Sequence, residues 1–234
     1  GKLFKWHYLS RNRQIRIRTR DPRGIWLGGR RFGGELRLVE AKNTIYVVNY
    51  LKIEKYLKSV VGGEMPKDWH LEALKAQAVA ARTYALHQLN KKPLYDVDSN
   101  VSSQVYLGME AETNKTRKAV NSTRSIIMLY KGALIDSVFH SSSGGQTESS
   151  IAVWGKYRPY LISVRDYDQK SPSYNWEKRI EQKKLSEIFK VIGGFNAIRI
   201  KQKTDSGRVS LVKVYGPKGI KLISGKELRS LFGL

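Results

Sequence analysis

Val61-Gly62-Gly63-Glu64-Met65-Pro66, followed by Leu71-Glu72-Ala73-Leu74-Lys75-Ala76-Gln77-Ala78-Val79-Ala80-Ala81-Arg82-Thr83-Tyr84, is the stretch on which the reading of this chain turns. In the second segment and just beyond it, Leu71, Leu74, Ala78, Ala81, Ala85 and Leu89 recur at the spacing that puts them on one face of an α-helix, here expected over Leu71 to Asn90. Asp68 is the expected N-cap of that helix. Gly62 and Gly63 permit a sharp backbone turn, and Pro66 ends whatever precedes it. Glu64 is therefore held by local geometry at the mouth of a rigid helix. A carboxylic acid so placed is either a catalytic group or an ordinary partner of the helix dipole, and the stretch alone leaves both open.

Outward from this centre the pattern is mixed. Gln14-Ile15-Arg16-Ile17-Arg18-Thr19-Arg20 alternates apolar and basic residues, the two-residue period of a half-exposed strand with its arginines on one face. Glu35 to Val39 and Thr44 to Asn49 read as strands joined by a turn at Lys42-Asn43, and Ile53 to Val60 as a short helix. A strand is expected near Val105, a helix over Glu112 to Thr123, and a hairpin of Ile126 to Tyr130 with Ala133 to Phe139, turning at Lys131-Gly132. His140 then follows a strand end, where functional loops are commonly mounted. Arg165 to Tyr174 reads as an internal loop. Trp176 and a helix over Lys183 to Val191 are apolar enough to pack on the preceding core. A last hairpin, Ala197 to Lys203 with Val209 to Tyr215, needs a surface to bury Ile198, Ile200, Leu211 and Val214. The expectation is α+β: a single domain whose central helix-containing catalytic core, 53–164, is wrapped by N-terminal strands, 1–52, and a C-terminal extension, 165–234.

At 234 residues the chain can bury a sizeable core, and its hydrophobic fraction of 41% is that of a globular protein. No apolar run approaches the roughly 20 residues that cross a bilayer. Gly1 is not followed by a charged and apolar leader, so any export signal or anchor is expected to have been removed or to lie outside this chain. Forty-three Lys+Arg against 20 Asp+Glu give a net charge of +23, which points to a polyanionic partner. Nucleic acid is one such partner. The basic residues are dispersed, however, with local density at Arg11 to Arg20, at Arg30 and Arg31, and at Arg199, Lys201 and Lys203, and no helix-turn-helix, zinc-finger or RNP signature accompanies them. A solvated basic surface that serves solubility explains the balance as well. The absence of cysteine excludes a disulfide framework, thiolate ligands and a cysteine nucleophile. His7, His70, His87 and His140 show no metal-ligand spacing, and His70 and His87 read as helix-surface residues.

Gly62-Gly63-Glu64-Met65-Pro66 and the run Glu72 to Ala85 resemble the stage II sporulation protein D family, which includes peptidoglycan lytic transglycosylases and amidase enhancers. Three further segments match in order: Ser103-Gln104-Val105-Tyr106-Leu107-Gly108; Phe139-His140-Ser141-Ser142-Ser143-Gly144-Gly145-Gln146-Thr147-Glu148; and Val153-Trp154-Gly155 with Pro159 to Val164. The resemblance is dense from about Ile53 to Val164 and thin outside it. It implies cleavage of the bond between N-acetylmuramic acid and N-acetylglucosamine in glycan strands, by preference strands stripped of stem peptides. It also implies an exported protein of the cell wall or periplasm that serves sporulation, division or other wall remodelling. The alternative that the family carries is a wall-binding activator of a peptidoglycan amidase. In either case the acidic wall stands ahead of nucleic acid as the expected partner, and nucleic-acid binding stays open as a remote alternative. The resemblance further implies a metal held by a cysteine pair near the Gln-Val-Tyr segment in some members. Here that stretch is Asp98-Ser99-Asn100-Val101-Ser102-Ser103, so no metal and no cofactor are expected, although an oxygen-ligand site through Asp96 or Asp98 stays open.

On this resemblance Glu64 is the catalytic residue. Ordinary glycosidases flank the scissile bond with two carboxyl groups, yet Asp68 and Glu72 are more simply assigned to capping and the first-turn dipole. A lytic transglycosylase needs one acid, because the substrate's own C6 hydroxyl is the nucleophile and tethered groups reach effective molarities of roughly 10⁵ to 10⁸ M. Its first step needs a protonated carboxyl, which desolvation by Met65, Trp69 and Tyr106 favours and a touching arginine opposes, so Arg82 is not expected against Glu64. Arg82, Tyr84, Gln104, Tyr106, His140, Ser141, Ser142, Ser143, Gly144 and Gly145 are the expected substrate-binding residues. For Arg82 the competing role is a pair with a core carboxylate, and for Tyr84 and Tyr106 it is packing. His140 with its three serines lacks the nucleophile elbow and acid partner of a serine hydrolase. Trp154 and Tyr160 fit a core position or a sugar platform equally.

Overall fold

Strand β1, Gln14–Arg18, pairs antiparallel with β4, Glu35–Ala41, which pairs in turn with β5, Thr44–Tyr50. The structure, a computed structural model, describes residues 14–234, so His7 and Arg11 lie outside the described residues. The expected turn at Lys42-Asn43 is present, with φ of 50° and 58° at its two central residues, the left-handed pair that suits the twist of a two-residue hairpin. Opposite Arg18 in the register, Glu35 accepts hydrogen bonds from both Arg18 and Arg37 and is 5% exposed. The Arg37 bond first, and then that of Arg18, hold its carboxyl below the ordinary range. A small hairpin that the sequence pattern did not suggest, β2 (Ile25–Leu27) with β3 (Arg30–Phe32), turns at Gly28 and Gly29.

Helix α1 spans Ile53–Glu64 and α2 spans Leu71–Gln88. The expected turn at Gly62-Gly63 is corrected: both glycines are helical and neither has a positive φ. They are glycines because backbone approaches them closely. A Cβ on Gly62 would stand 2.0 Å from the Ala111 carbonyl oxygen, and one on Gly63 would stand 2.5 Å from that of Val105. Ala111 ends a 3-10 turn, Gly108–Ala111, and Val105 lies in an irregular segment where a strand was expected. The N-cap of α2 is also corrected from Asp68 to His70, whose Nδ1 accepts from the Glu72 N–H at 3.3 Å. Helix α3, Asn114–Ser122, opens on a reciprocal capping box between Thr113 and Thr116. Leu57, Val60 and Val61 of α1, Leu74, Ala78 and Ala81 of α2, and Ala119 and Val120 of α3 form one wholly buried cluster. Alanines line much of the α2 side of this cluster, and Leu57, Val60 and Val61 of α1 and Leu74 of α2 fill it. Only Leu129–Tyr130 (β6) and Ala133–Leu134 (β7) of the expected third hairpin are paired, so His140 stands six residues beyond strand pairing.

Two compact units divide the chain, Gly1–Phe139 and His140–Leu234. The second contains α4 (Ser150–Trp154), α5 (Gln182–Ile188), and strands β8 (Ala197–Lys203), β9 (Val209–Gly216) and β10 (Gly219–Ser224) in the order β10-β9-β8. It closes with α6, Gly225–Phe232, capped by the Ser224 hydroxyl on the Glu227 N–H. Phe189, Ile192, Val212, Val214 and Ile223 form its core, flanked by Leu185, Leu228 and Phe232. Burial therefore falls on the centre of the sheet: Val214 is covered as expected, whereas Ile198, Ile200 and Trp176 are exposed, against expectation. With both helices and antiparallel sheets, the fold is α+β. No helix among the described residues is long and apolar enough to cross a membrane.

Candidate active site

Glu64 is the last residue of α1, half-buried, and its Oε1 accepts from the Val105 backbone N–H at 2.6 Å. One oxygen of the carboxyl is thus fixed to backbone from 41 positions away, and the other accepts no hydrogen bond among the described residues. The close approach that excludes a side chain at Gly63 brings Val105 to this position. Met65 is partly buried against the core of the first unit, and the Trp69 side chain is 50% exposed. The Tyr56 phenol lies close by: burial first, and then the Glu64 charge, push it above its ordinary range.

Arg82 does not touch Glu64. Its Nε and Nη2 meet the two oxygens of Glu54 at 2.9 Å each, while Nη1 donates to the Ile126 carbonyl at 3.1 Å and Nη2 to that of Val120 at 3.3 Å. At 1% exposure the guanidinium is a core tie between α1, α2, the end of α3 and the strand entry after it, so the expected substrate contact is corrected. Gln104 is corrected likewise. It is fully buried, accepting from the Tyr56 hydroxyl at 3.0 Å and donating to the Ala81 carbonyl at 3.3 Å. Tyr106 stacks on Tyr56 with ring centroids 5.3 Å apart and donates to Asn49 at 2.6 Å, which makes it a packing residue. Tyr84 is half-buried and near enough to Tyr56 and Lys92 to act on both electrostatically. Of the expected residues in this unit, Glu64 and Tyr84 keep surface.

A cavity of about 930 Å³ in the same unit is lined by Tyr46, Asn49, Tyr50, Leu89, Tyr95 and Tyr106 among others, and Glu64 is not part of its wall. Asp98 on its rim pairs with Lys92 at 2.6 Å, and Asp96 accepts from the Asn90 N–H at 2.8 Å. The two acids that kept an oxygen-ligand metal site open are therefore engaged with protein groups. Among the described residues no three His, Cys, Asp or Glu side chains are grouped for a metal.

In the second unit, His140 and Ser141 are exposed. Ser143 is buried, Ser142 and Gly145 are partly buried and Gly144 is exposed, and the hydrogen-bonding groups of these four residues, expected to face glycan, are engaged with protein. The Ser142 hydroxyl donates to Asp168 at 2.5 Å, and the Ser143, Gly144 and Gly145 N–H groups donate to the same carboxylate at 2.6, 2.9 and 2.8 Å. The Ser143 hydroxyl donates to Asp166 at 2.7 Å. Arg208 donates to the Ser143 and Gln146 carbonyls, and Glu148 accepts from Thr204 and Ser206 at 2.5 Å each. Burial opposes the Glu148 charge, but the Ser206 and Thr204 bonds outweigh it and hold the carboxyl below its ordinary range. Asp166, Asp168 and Arg208 were not singled out in the sequence. Their nearest sequence signal is two acids close together in a strongly basic chain. Trp154 is exposed at the end of α4, not in the core.

The family model for stage II sporulation protein matches residues 41–130, which contain α1 with Glu64 at its end, α2 and the Gln104 segment. An uncharacterized protein of Brachyspira hyodysenteriae is 44% identical over 176 residues, covering 74% of this chain and 47% of that protein. The amidase enhancer of Bacillus subtilis is 38% identical over 67% of this chain and 21% of its own length. Stage II sporulation protein D of Bacillus subtilis is 31% identical over 80% of this chain and 59% of its own. The chain thus spans between about a fifth and three-fifths of the lengths of these relatives. Its motifs, their order and these matches agree, and the chain belongs to the stage II sporulation protein D family.

Proposed function

We propose that this chain is a peptidoglycan lytic transglycosylase, acting in the exported compartment on glycan strands stripped of stem peptides, with Glu64 as its single general acid and base. The observation that carries the reading is the Glu64 carboxyl: one oxygen tied to the Val105 N–H at 2.6 Å and the other unengaged among the described residues. A fixed carboxyl with one open oxygen is suited to pass a proton to a glycosidic oxygen. In the proposed step the open oxygen protonates the bridge between N-acetylmuramic acid and N-acetylglucosamine, and the C1–O bond breaks. The C6 hydroxyl of the same muramic residue then attacks C1, and Glu64 takes its proton as the 1,6-anhydro ring closes. No water is consumed, and no second carboxylate is needed. Glu72, in the first turn of α2, is paired with Lys75 at 2.7 Å. The net charge of +23 supports recruitment to an anionic wall.

The experiment is digestion of peptide-stripped glycan strands with wild type and Glu64→Gln. The expected products carry muramic ends lighter by one water and resistant to borohydride, and Glu64→Gln loses roughly 10² to 10⁴ in rate while still binding strands. Near wild-type turnover of Glu64→Gln would overturn the assignment of the acid, and reducible ends would overturn the transglycosylase step. The 38% identity to an amidase enhancer favours a second reading, stimulation of a separate amidase. No cleavage by wild type, together with faster amidase action in its presence, would replace the first reading with that one.

A further inference from the structure

Ser142–Gly145 is built as an anion receptor. Successive backbone N–H groups that converge on one point in a turn form a concavity that holds anions. Here the Ser143, Gly144 and Gly145 N–H groups converge on Asp168, with φ of +67° at Gly144 and +96° at Gly145. Nothing lies within 4 Å of a Cβ built on Gly144, so the residue is glycine for its backbone angle and not for space. The Ser142 hydroxyl adds a fourth donor to the same carboxylate. The chain has only 20 acids, yet Asp166 and Asp168 both serve to hold this one loop, and Arg208 donates to its Ser143 carbonyl.

All four donors are thereby consumed, and two exposed residues that carry polar side chains, His140 and Ser141, stand immediately before them. We propose that Asp168 is a positioning residue: its carboxylate is the resident anion of the 142–145 nest, and by filling the nest it fixes where His140 and Ser141 present their polar groups to a glycan. The glycan-facing half of this proposal rests on the function proposed above, whereas the nest itself does not. The bond from Ser142 first, with the backbone N–H groups, outweighs burial and holds the Asp168 carboxyl at about 2, so the nest stays filled by an anion at any ordinary pH.

The test uses Asp168→Ala in the full chain, with glycan affinity measured in a Glu64→Gln background so that strands stay uncut. Amide resonances of Gly144 and Gly145 are expected to move, and the Kd for stripped strands to rise roughly tenfold or more, as for other groups that place a contact without making it. Sodium formate, a carboxylate small enough to replace the lost one, is expected to return both toward their starting values, while sodium chloride at equal ionic strength is not. Native amide positions in Asp168→Ala, or displaced ones that formate leaves unchanged, would overturn the nest. Displaced and formate-rescued amides with an unchanged Kd would overturn the positioning role. If unmutated chains bind no glycan, the amide readout still decides the nest and the failure belongs to the proposed function. Should Asp168→Ala not fold, Asp168→Asn keeps the size of the side chain and removes its charge, and unchanged amides and Kd in that variant would equally overturn the proposal.

Discussion

Replacing Arg82 with alanine separates a core tie from a substrate contact. The guanidinium meets both oxygens of Glu54 at 2.9 Å and donates to the Val120 and Ile126 carbonyls, at 1% exposure. Removing one partner of a buried ion pair costs about 3 to 5 kcal/mol, because the other charge is left uncompensated. Glu54 is 24% exposed and regains some solvent, which favours the lower end, about 3 kcal/mol. For a chain of this size each kcal/mol lowers Tm by about 2 to 4 °C, so a fall of roughly 6 to 12 °C is expected by scanning calorimetry or circular dichroism. Glu54→Ala added to Arg82→Ala should cost little more than Arg82→Ala alone, since the pair acts as a unit. Lysine at the same position keeps the charge but not the planar fork, and should recover only part of the loss. An Arg82→Ala protein with unchanged Tm and weakened glycan binding would refute this reasoning and return Arg82 to the substrate.

Gly63→Ala is expected to lower glycan cleavage by at least tenfold even though alanine favours a helix by about 1 kcal/mol over glycine; the added Cβ would stand 2.5 Å from the Val105 carbonyl and push away the segment that anchors Glu64. Steady-state cleavage assays beside a thermal melt check this, and an active, stabilised variant would contradict it. Acidification is expected to destabilise the protein between about pH 4 and pH 2, because Asp168 titrates at about 2 when folded against 3.8 ordinarily. Across that window the unfolded chain binds more protons, so stability present above it is lost as pH falls. Melts of wild type and Asp168→Asn from pH 6 to pH 2 should converge toward the acid end.

The sequence carried most of the local structure and little of the long-range commitments. The spacing of Leu71, Leu74, Ala78 and Ala81 specified α2, and Lys42-Asn43 its hairpin, because both depend on neighbours in the chain. Gly62-Gly63 read as a turn since a glycine pair permits one. What requires glycine there is the carbonyl of Ala111, far along the chain and invisible to any local pattern. Arg82 matched a motif, but its partner, Glu54, is 28 positions away, and motif residues look alike whether they hold a substrate or hold the helix that does. Asp168 sits 26 positions beyond Ser142 in a stretch that read as plain loop, so its hold on the nest could be seen only in three dimensions. Strand β10 and helix α6 did leave local traces, alternation at Ile220 and Leu222 and the Ser224 to Glu227 capping spacing, which a closer reading of the C-terminal segment would catch.

Glu54 and Glu64 stand near opposite ends of one helix, the first locked by Arg82 and the second bearing the open oxygen. At 1.5 Å rise per residue the two are about 15 Å apart along the axis. Helix α1 is then a lever arm: a tilt of about 5° at the Glu54 end would swing the far end by more than 1 Å, a misplacement that can cost about a hundredfold in rate. The close backbone seats at Gly62 and Gly63 are the second bearing that stops such a swing. In the proposed mechanism the placing of the proton donor is thus set by the stiffness of a beam supported at both ends, and Arg82, a core tie, would govern a reaction that it does not touch.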